Sequence, residues 1–158
     1  MLDIVADRPA LTPDNLLTEF FEGDVRAWGL VVPRFGGSTR TFSLQMSGTW
    51  MSSRFVMTER FEFSDGQVDN RTWEFEFESA RNFTGDCDEL SRWKSGRASD
   101  DLLAMEYLFD LKVGERIIPV WFDDRMYRID EKTVANRAVM HRFGIRLGEV
   151  NAVFRKTP

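Results

Sequence analysis

The sequence predicts an all-β fold, an antiparallel β-barrel of about eight to ten strands with a short N-terminal helix. Apolar and polar side chains alternate along most of the chain, which is the pattern of strands with one buried face. The 158 residues are 42% apolar and 13% aromatic, enough for one packed domain rich in strands. A sheet with one apolar face must close or fold over to bury that face. A barrel is therefore expected, and a two-sheet sandwich is the alternative.

The helix is predicted near the N-terminus. Pro13 suits the first helical position, apolar residues follow at helical spacing, and Gly23 lies just past the end. After Gly23 the apolar period changes from about 3.6 to about 2, which marks the change from helix to strands. We expect a single domain over residues 1–158, divided into a flexible tail (1–12), the helix (13–22) and the barrel (24–155).

Glycine-containing turns divide the strand region. They are predicted at 35–38, 64–67, 113–115 and 142–144. The strands between them are expected near 25–34, 39–52, 54–64, 68–80, 82–94, 101–112, 116–123, 125–130, 133–141 and 145–155. Consecutive strands joined by short turns of this kind pair antiparallel.

Two charged residues occupy positions that the alternation assigns to the buried face. Glu59 shares its face with Met57 and Phe61, and Arg71 shares its face with Trp73. If both aromatic faces point inward, Phe61 lies opposite Arg71 and Glu59 lies opposite Trp73. Glu59 and Arg71 are then diagonal neighbours within reach of each other, so we predict an internal ion pair. Because a buried ion pair costs desolvation, it suggests a functional role.

A series of aromatic and glycine motifs runs through the chain in a definite order. Its members are Phe20-Phe21-Glu22-Gly23, Ala27-Trp28-Gly29, Arg34-Phe35-Gly36, Gly48-Thr49-Trp50, 59–66, Arg71-Thr72-Trp73, Phe83-Thr84-Gly85, 122–127, 136–137 and 143–150. In order and spacing the series resembles the proteobacterial domain of unknown function 3833 family over residues 16–155. The resemblance implies a lipocalin-like (calycin-like) barrel. It implies no activity, because the family is uncharacterised and many of its members only resemble lipoproteins.

The chain departs from that family in two places. No lipoprotein signal or acceptor cysteine is visible near the N-terminus, so envelope anchoring is not expected. The segment 86–100 lacks the glycine-rich pattern of the family. Since no signal peptide or transmembrane segment is visible either, we expect a cytoplasmic protein with no membrane insertion.

Composition excludes several classes of function. The formal charge is −5 and the pI about 5.0, without a block of five like charges, so the chain as a whole lacks the charge pattern for binding nucleic acid or an anionic membrane, and no nucleic-acid partner is expected. Local basic patches are left open. Cys87 is the only cysteine and His141 the only histidine, which excludes an internal disulfide and multi-histidine metal sites. Neither a metal nor a cofactor is expected.

The predicted ligand site lies in the barrel or at its mouth. Its residues are Glu59, Arg71, Trp73, Tyr107, Asp124, Asn136 and Arg137. Arg71 or Arg137 is expected to meet a carboxylate or phosphate of the ligand, while the acids hold the arginines in place. The apolar part of the ligand is expected along Phe61, Phe75, Met105 and Tyr107. A structural ion-pair network that fixes strand register is the alternative interpretation of the charged residues.

Three functional hypotheses follow, in this order of preference. The first is a barrel that binds an apolar or amphipathic small molecule, fatty-acid-like with an anionic head, and is not an enzyme. The second is a side-chain-filled barrel that serves as a structural or protein-interaction module. The third is a hydrolase or isomerase that uses Glu59 or Asp124 for acid/base chemistry.

Overall fold

Ten antiparallel strands follow one short helix in the computed structural model, which describes residues 13–158. The predicted tail, residues 1–12, lies outside the described residues. The elements are α1 (Leu16–Phe20), β1 (Gly23–Pro33), β2 (Arg40–Met51), β3 (Arg54–Phe63), β4 (Val68–Phe77), β5 (Phe83–Asp86), β6 (Leu90–Ala98), β7 (Leu102–Val113), β8 (Arg116–Asp130), β9 (Thr133–Arg142) and β10 (Ile145–Lys156). The described helix is too short to cross a bilayer.

All ten strands belong to one sheet that curls into a nearly closed barrel. Their order is β5-β4-β3-β2-β1-β10-β9-β8-β7-β6, so each strand lies beside its chain neighbour except where β1 pairs with β10. The two end strands, β5 and β6, follow each other in the chain, and an isolated bridge between Asn82 and Arg97 joins their region. The prediction of an all-β antiparallel barrel is confirmed.

Two predicted strand boundaries are wrong. The strand expected at 82–94 is two strands, β5 and β6, separated by a turn at 87–89 in which the Leu90 N–H donates to the Cys87 carbonyl. That turn contains neither glycine nor proline, and its acidic residues suggest a turn without marking where one strand ends and the next begins. The strands expected at 116–123 and 125–130 are one strand, β8. The charged Asp124 interrupts the apolar pattern of β8 without interrupting the strand, because the side chain is hydrogen-bonded inside the barrel.

The helix α1 closes one end of the barrel. Its apolar residues, Leu16, Leu17 and Phe20, are fully buried, and so is Phe21, whose ring lies 5.6 Å from the ring of Phe154. The helix is shorter than the predicted 13–22, because the N-cap is Asn15 and the C-cap is Phe21. The Asn15 side chain accepts hydrogen bonds from the backbone N–H groups of residues 17 and 18.

Asn15→Ala is expected to destabilise the protein by about 2 kcal/mol, which combines a lost helix cap and a lost hydrogen bond. Besides capping α1, the Asn15 amide donates to the carbonyl of Ala80, 3.2 Å away, and so ties the helix to the barrel. Thermal unfolding followed by circular dichroism measures the loss. The exposed neighbour provides the control, because Asp14→Ala removes a side chain outside these contacts and is expected to change little.

Burial of the inward side chains falls from the helix end toward the opposite end. Phe55 and Val134, near α1, are 0% exposed. Phe61, Phe63 and Phe122 point inward at the other end and are partly exposed. We call that other end the open end; the β1–β2, β3–β4, β5–β6, β7–β8 and β9–β10 turns lie there. Within residues 13–158 the inward side chains are therefore more accessible to solvent at this end than beside α1.

Candidate functional site

The two charged residues on the buried face lie directly opposite each other. Glu59 of β3 pairs with Arg71 of β4, and Phe61 pairs with Asp69. The predicted pairing, with Phe61 opposite Arg71, is wrong by two residues. Alternation of side chains fixes only which face each residue occupies, and a shift of two residues leaves the faces unchanged. The turn after Phe63, whose N–H donates to the Gln67 carbonyl, sets the register.

Arg71 lies between two aromatic rings at the open end. Its guanidinium carbon is 5.1 Å from the centre of the Phe61 ring and 4.5 Å from that of Phe109. The Arg71 Nε lies 3.6 Å from Glu89 Oε2, and the arginine side chain is 19% exposed. Among the described residues neither of these two buried atoms has a hydrogen-bond partner. The guanidinium is thus held by ring faces and by a long ion pair that leaves donor capacity unused.

Glu89 was not among the predicted site residues. It lies in the turn between β5 and β6, and sequence alone suggests an exposed acidic turn there. β5 pairs antiparallel with β4, with Asp86 opposite Glu74, and this pairing carries the turn after β5 to Arg71. Glu89 thus takes the place that the prediction gave to Glu59 as the partner of the arginine. The acids of this turn, Asp88 and Glu89, carry no local pattern that would have revealed which of them meets Arg71.

Glu59 is a buried carboxyl group whose charge changes near neutral pH. Burial raises its pKa from the ordinary value of 4.5 to about 7, against the opposing effect of Arg71. The negative charges of Asp124 and Glu89 contribute to this rise of the pKa, and a hydrogen bond from the Trp73 indole opposes it. Arg71 therefore stabilises the Glu59 carboxylate only in part.

A second buried acid is held by hydrogen bonds on the other side of the interior. The Tyr107 hydroxyl donates to Asp124 Oδ2 at 2.9 Å, and the Asn136 amide donates to Asp124 Oδ1 at 2.6 Å. Burial raises the pKa of Asp124, and these two hydrogen bonds lower it less than burial raises it. Burial and the nearby aspartate also raise the pKa of Tyr107 well above its usual range. The structure therefore brings three of the predicted residues into one cluster.

Arg137 lies outside the interior cluster, unlike the other predicted polar residues. Its neighbours Asn136 and Ala138 point inward, and Arg137 therefore points outward, 56% exposed. There it pairs with Glu149 at 3.3 Å. Asp123 also lies on the outer side, with Arg125 at 3.2 Å, opposite in direction to the buried Asp124.

Aromatic rings form the wall around these polar groups. The ring of Trp73 stacks on Phe75 at 5.6 Å and meets the edge of Tyr107 at 5.3 Å, and Tyr107 stacks on Phe122 at 5.4 Å. Met105 is buried in the same layer. The buried acids and Arg71 are consequently surrounded by apolar surface, which strengthens their electrostatic interactions with any group that enters.

A polar cavity of about 660 Å³ adjoins the charged side of the site. Glu59, Arg71, Cys87 and Glu89 line it, together with outward-facing polar residues of β2, β3 and β4. Burial and the charge of Glu89 raise the pKa of Cys87 to about 12, so this thiol stays protonated at neutral pH and is a poor nucleophile. No three His, Cys, Asp or Glu side chains within residues 13–158 converge as a metal site requires.

Comparison with known proteins gives the fold and one family. The S-type phycobiliprotein lyase CPES from Guillardia theta has a similar structure, with a TM-score of 0.66, 7% identity and coverage of 92% of this chain and 94% of that chain. The structure of Rv2717c from M. tuberculosis is similar with a TM-score of 0.54 and 10% identity, over 87% of this chain and 93% of that one. No curated protein matches the sequence. The profile described as "Protein of unknown function (DUF3833)" matches residues 4–156.

Proposed function

The chain belongs to the DUF3833 family of proteins of unknown function, and on that premise we propose a function from its own interior. The barrel binds one amphipathic small molecule, with its apolar part along the aromatic wall and an anionic group, carboxylate or phosphate, at Arg71. The observation that carries the proposal is the Arg71 guanidinium, partly exposed between two rings at the open end of an aromatic interior in which the other buried charged groups are acids.

An anion from outside is a better partner for Arg71 than the partner it has. The 3.6 Å contact with Glu89 leaves the buried Nε of Arg71 and the buried Oε2 of Glu89 without hydrogen bonds among the described residues. A carboxylate or phosphate forms two parallel hydrogen bonds with a guanidinium, and such bonds are stronger than neutral ones. A ligand anion therefore replaces the long Arg71–Glu89 contact and does not have to break a hydrogen bond to do so.

The apolar part of the ligand has a continuous wall to follow from Arg71 inward. Phe61 lies beside the guanidinium at the open end, and the buried Phe75, Met105 and Tyr107 lie deeper. A fatty-acid-like molecule that enters past the turns of the open end would place its chain against these residues. Burial of the chain contributes about 0.8 kcal/mol per methylene group, so the wall supplies affinity and Arg71 supplies orientation.

Arg71→Met is expected to weaken binding of a fluorescent long-chain fatty acid by about tenfold or more, since it replaces the guanidinium with an apolar side chain. Arg54→Met is the matched control, because Arg54 lies on the neighbouring strand, is exposed and pairs with Glu74 on the outer face, and it does not line the cavity beside Arg71. Fluorescence titration of both variants and of the natural sequence measures the difference. Equal affinity in all three proteins contradicts the role of Arg71.

The second candidate function is a structural or protein-interaction scaffold whose interior is filled by side chains. The close packing of the interior rings is the observation that supports it. The ring centre of Trp73 lies within 6.5 Å of the ring centres of four other aromatic residues, Phe75, Trp93, Tyr107 and Phe109. Little space is left between these rings. Native purification followed by organic extraction and mass spectrometry separates the two candidates. A stoichiometric molecule lost from an Arg71→Met, Glu59→Gln variant supports the binding barrel, whereas absence of any bound or titratable amphiphile supports the scaffold.

A further inference from the structure

We propose that the open end of the barrel docks on the surface of an anionic phospholipid bilayer through three neighbouring turns. These turns, called the rim tips below, are residues 34–39 between β1 and β2, 112–117 between β7 and β8, and 142–146 between β9 and β10. The proposal goes beyond the ligand of the interior and stands without it.

The three rim tips form one arc of the barrel edge. Because β10 pairs with β1 and β9, and β9 pairs with β8, the turns that these strands carry are adjacent. The Arg34 N–H donates to the Leu147 carbonyl at 2.9 Å, which ties the first tip to β10. Side chains on the three tips therefore act together against a flat surface.

The rim tips carry large apolar side chains that point into solvent. Phe143 is 84% exposed and Phe35 is 63% exposed, and Val113, Ile117 and Ile145 are each at least half exposed. Single exposed apolar residues are ordinary, but a group of five on one edge indicates a contact surface. The site described above uses none of them.

Phe143 also adopts a backbone conformation that is unfavourable for phenylalanine. Its φ is 52° and that of Gly144 is 73°, the conformation of a tight two-residue hairpin turn in which asparagine and glycine are favoured. A bulky side chain at positive φ is uncommon and strained. Within residues 13–158 the ring meets the Arg142 guanidinium but is not buried, so the strain of this turn points to a contact of Phe143 outside the described chain.

Basic charge accompanies the apolar side chains, although the whole chain is acidic. The rim tips hold five basic residues, Arg34, Lys112, Arg116, Arg142 and Arg146, and one acid, Glu115. Arg146 pairs with Glu149, and the other four have no acid within 4 Å in the described part of the chain. The other two turns of the open end carry Asp65, Asp88 and Glu89 and no basic residue. Among the five turns of the open end, the basic residues thus lie on the arc that carries the apolar side chains.

This combination fits a bilayer surface better than a protein surface. The Arg34 guanidinium lies 5.1 Å from the ring centre of Phe35, and that of Arg142 lies 4.7 Å from the ring centre of Phe143. On a bilayer the rings enter the headgroup region while the guanidinium groups stay with the lipid phosphates. The core of a protein interface is depleted of charged residues, so a protein partner would have to desolvate these arginines. The interior site proposed above lies at the same end, which faces the lipid in this orientation.

The test uses the full chain and vesicles of equal parts phosphatidylglycerol and phosphatidylcholine. The variant Phe35→Ser, Phe143→Asn removes the two projecting rings, and the second change suits the turn, so the melting temperature is expected not to fall. The control variant Met51→Ser, Ile129→Ser removes two side chains of similar exposure from β2 and β8 at the helix end. Co-sedimentation at low salt is expected to show binding by the natural sequence and the control, and about tenfold weaker binding by the rim variant.

A charge variant checks the second half of the proposal. Arg34→Gln, Arg142→Gln is expected to weaken binding to the anionic vesicles and to reduce its dependence on salt, with vesicles of pure phosphatidylcholine bound weakly by every variant. No binding by the natural sequence, or equal losses in the rim and control variants, overturns the proposal. So does a self-association in sedimentation velocity without lipid that the rim variant abolishes, because the rim would then be a protein interface. The rim and charge variants leave Arg71 and its ring partners unchanged, so a failure of this proposal is distinguished from a failure of the interior site by the fatty-acid titration.

Discussion

Gly48→Ala is expected to destabilise the protein by about 3 kcal/mol or more, lowering the melting temperature by about 10 °C. A Cβ at position 48 would overlap the backbone oxygen of Phe21 and lie 2.8 Å from Cζ of Phe55. Backbone at the end of α1 cannot move aside as a flexible side chain does. The helix would have to lift from the end of the barrel and expose Leu16, Leu17 and Phe20, which are buried there.

Differential scanning calorimetry of Gly48→Ala beside Ser47→Ala tests this expectation. Ser47 precedes Gly48 in β2 but is exposed on the outer face, so its variant has the same sheet position without the steric conflict. A drop in melting temperature shared by both variants would mean that strand propensity, and not the close approach of α1, determines the effect of alanine at position 48. A large drop confined to Gly48→Ala supports the role of the helix as a closure of the barrel.

Glu59→Gln is expected to stabilise the protein at alkaline pH and to leave its stability nearly unchanged in acid. The folded-state pKa of Glu59 is about 7 against an ordinary value of 4.5, so the folded state binds the proton more tightly than the unfolded state. Stability that this group contributes is complete below pH 4.5 and is lost as the pH rises through 7, by about 3 kcal/mol in total. Because the glutamine side chain of the variant carries no charge, the variant does not lose this stability at alkaline pH.

Urea unfolding across the range from about pH 4 to about pH 9 measures the effect as the difference between the two proteins at each pH. The difference is expected to grow between pH 4.5 and 7 and then to level off. Glu62→Gln provides the control, since Glu62 is exposed and pairs with Arg60 on the outer side. A constant difference at all pH values would show that Glu59 keeps the same charge in both states, and would remove the basis for placing a titrating carboxyl group beside Arg71.

Alternation within each strand is the part of the fold that could be predicted from the sequence. Glu59 and Arg71 were assigned to the buried face because each lies two residues from an aromatic residue that had to be inside, and both point inward. The same rule places Asp123 and Asp124 on opposite faces of the strand. It also places Arg137 on the outer face once Asn136 is known to point inward. The prediction placed both Asn136 and Arg137 in the site, although adjacent residues of a strand face opposite ways.

Register and long-range contacts needed the tertiary structure. The pairing of Glu59 with Arg71 differs from the predicted one by two residues, a shift that the face pattern permits and that turn geometry decides. Glu89 reaches Arg71 because β5 pairs with β4, a pairing between segments joined by an irregular connection that the sequence pattern does not predict. The rim tips come together through the pairing of β1 with β10 and of β8 with β9, from three turns that lie far apart in the sequence.

By itself the sequence determined the all-β fold, the short helix at its start and the presence of charged residues on an inward face, because these follow from the local period of side chains along the backbone. Only the tertiary structure decided which charges meet, which end of the barrel opens and where exposed apolar and basic residues gather. Those properties depend on the closing of the sheet, which brings together residues tens of positions apart, and a local period carries no information about such contacts.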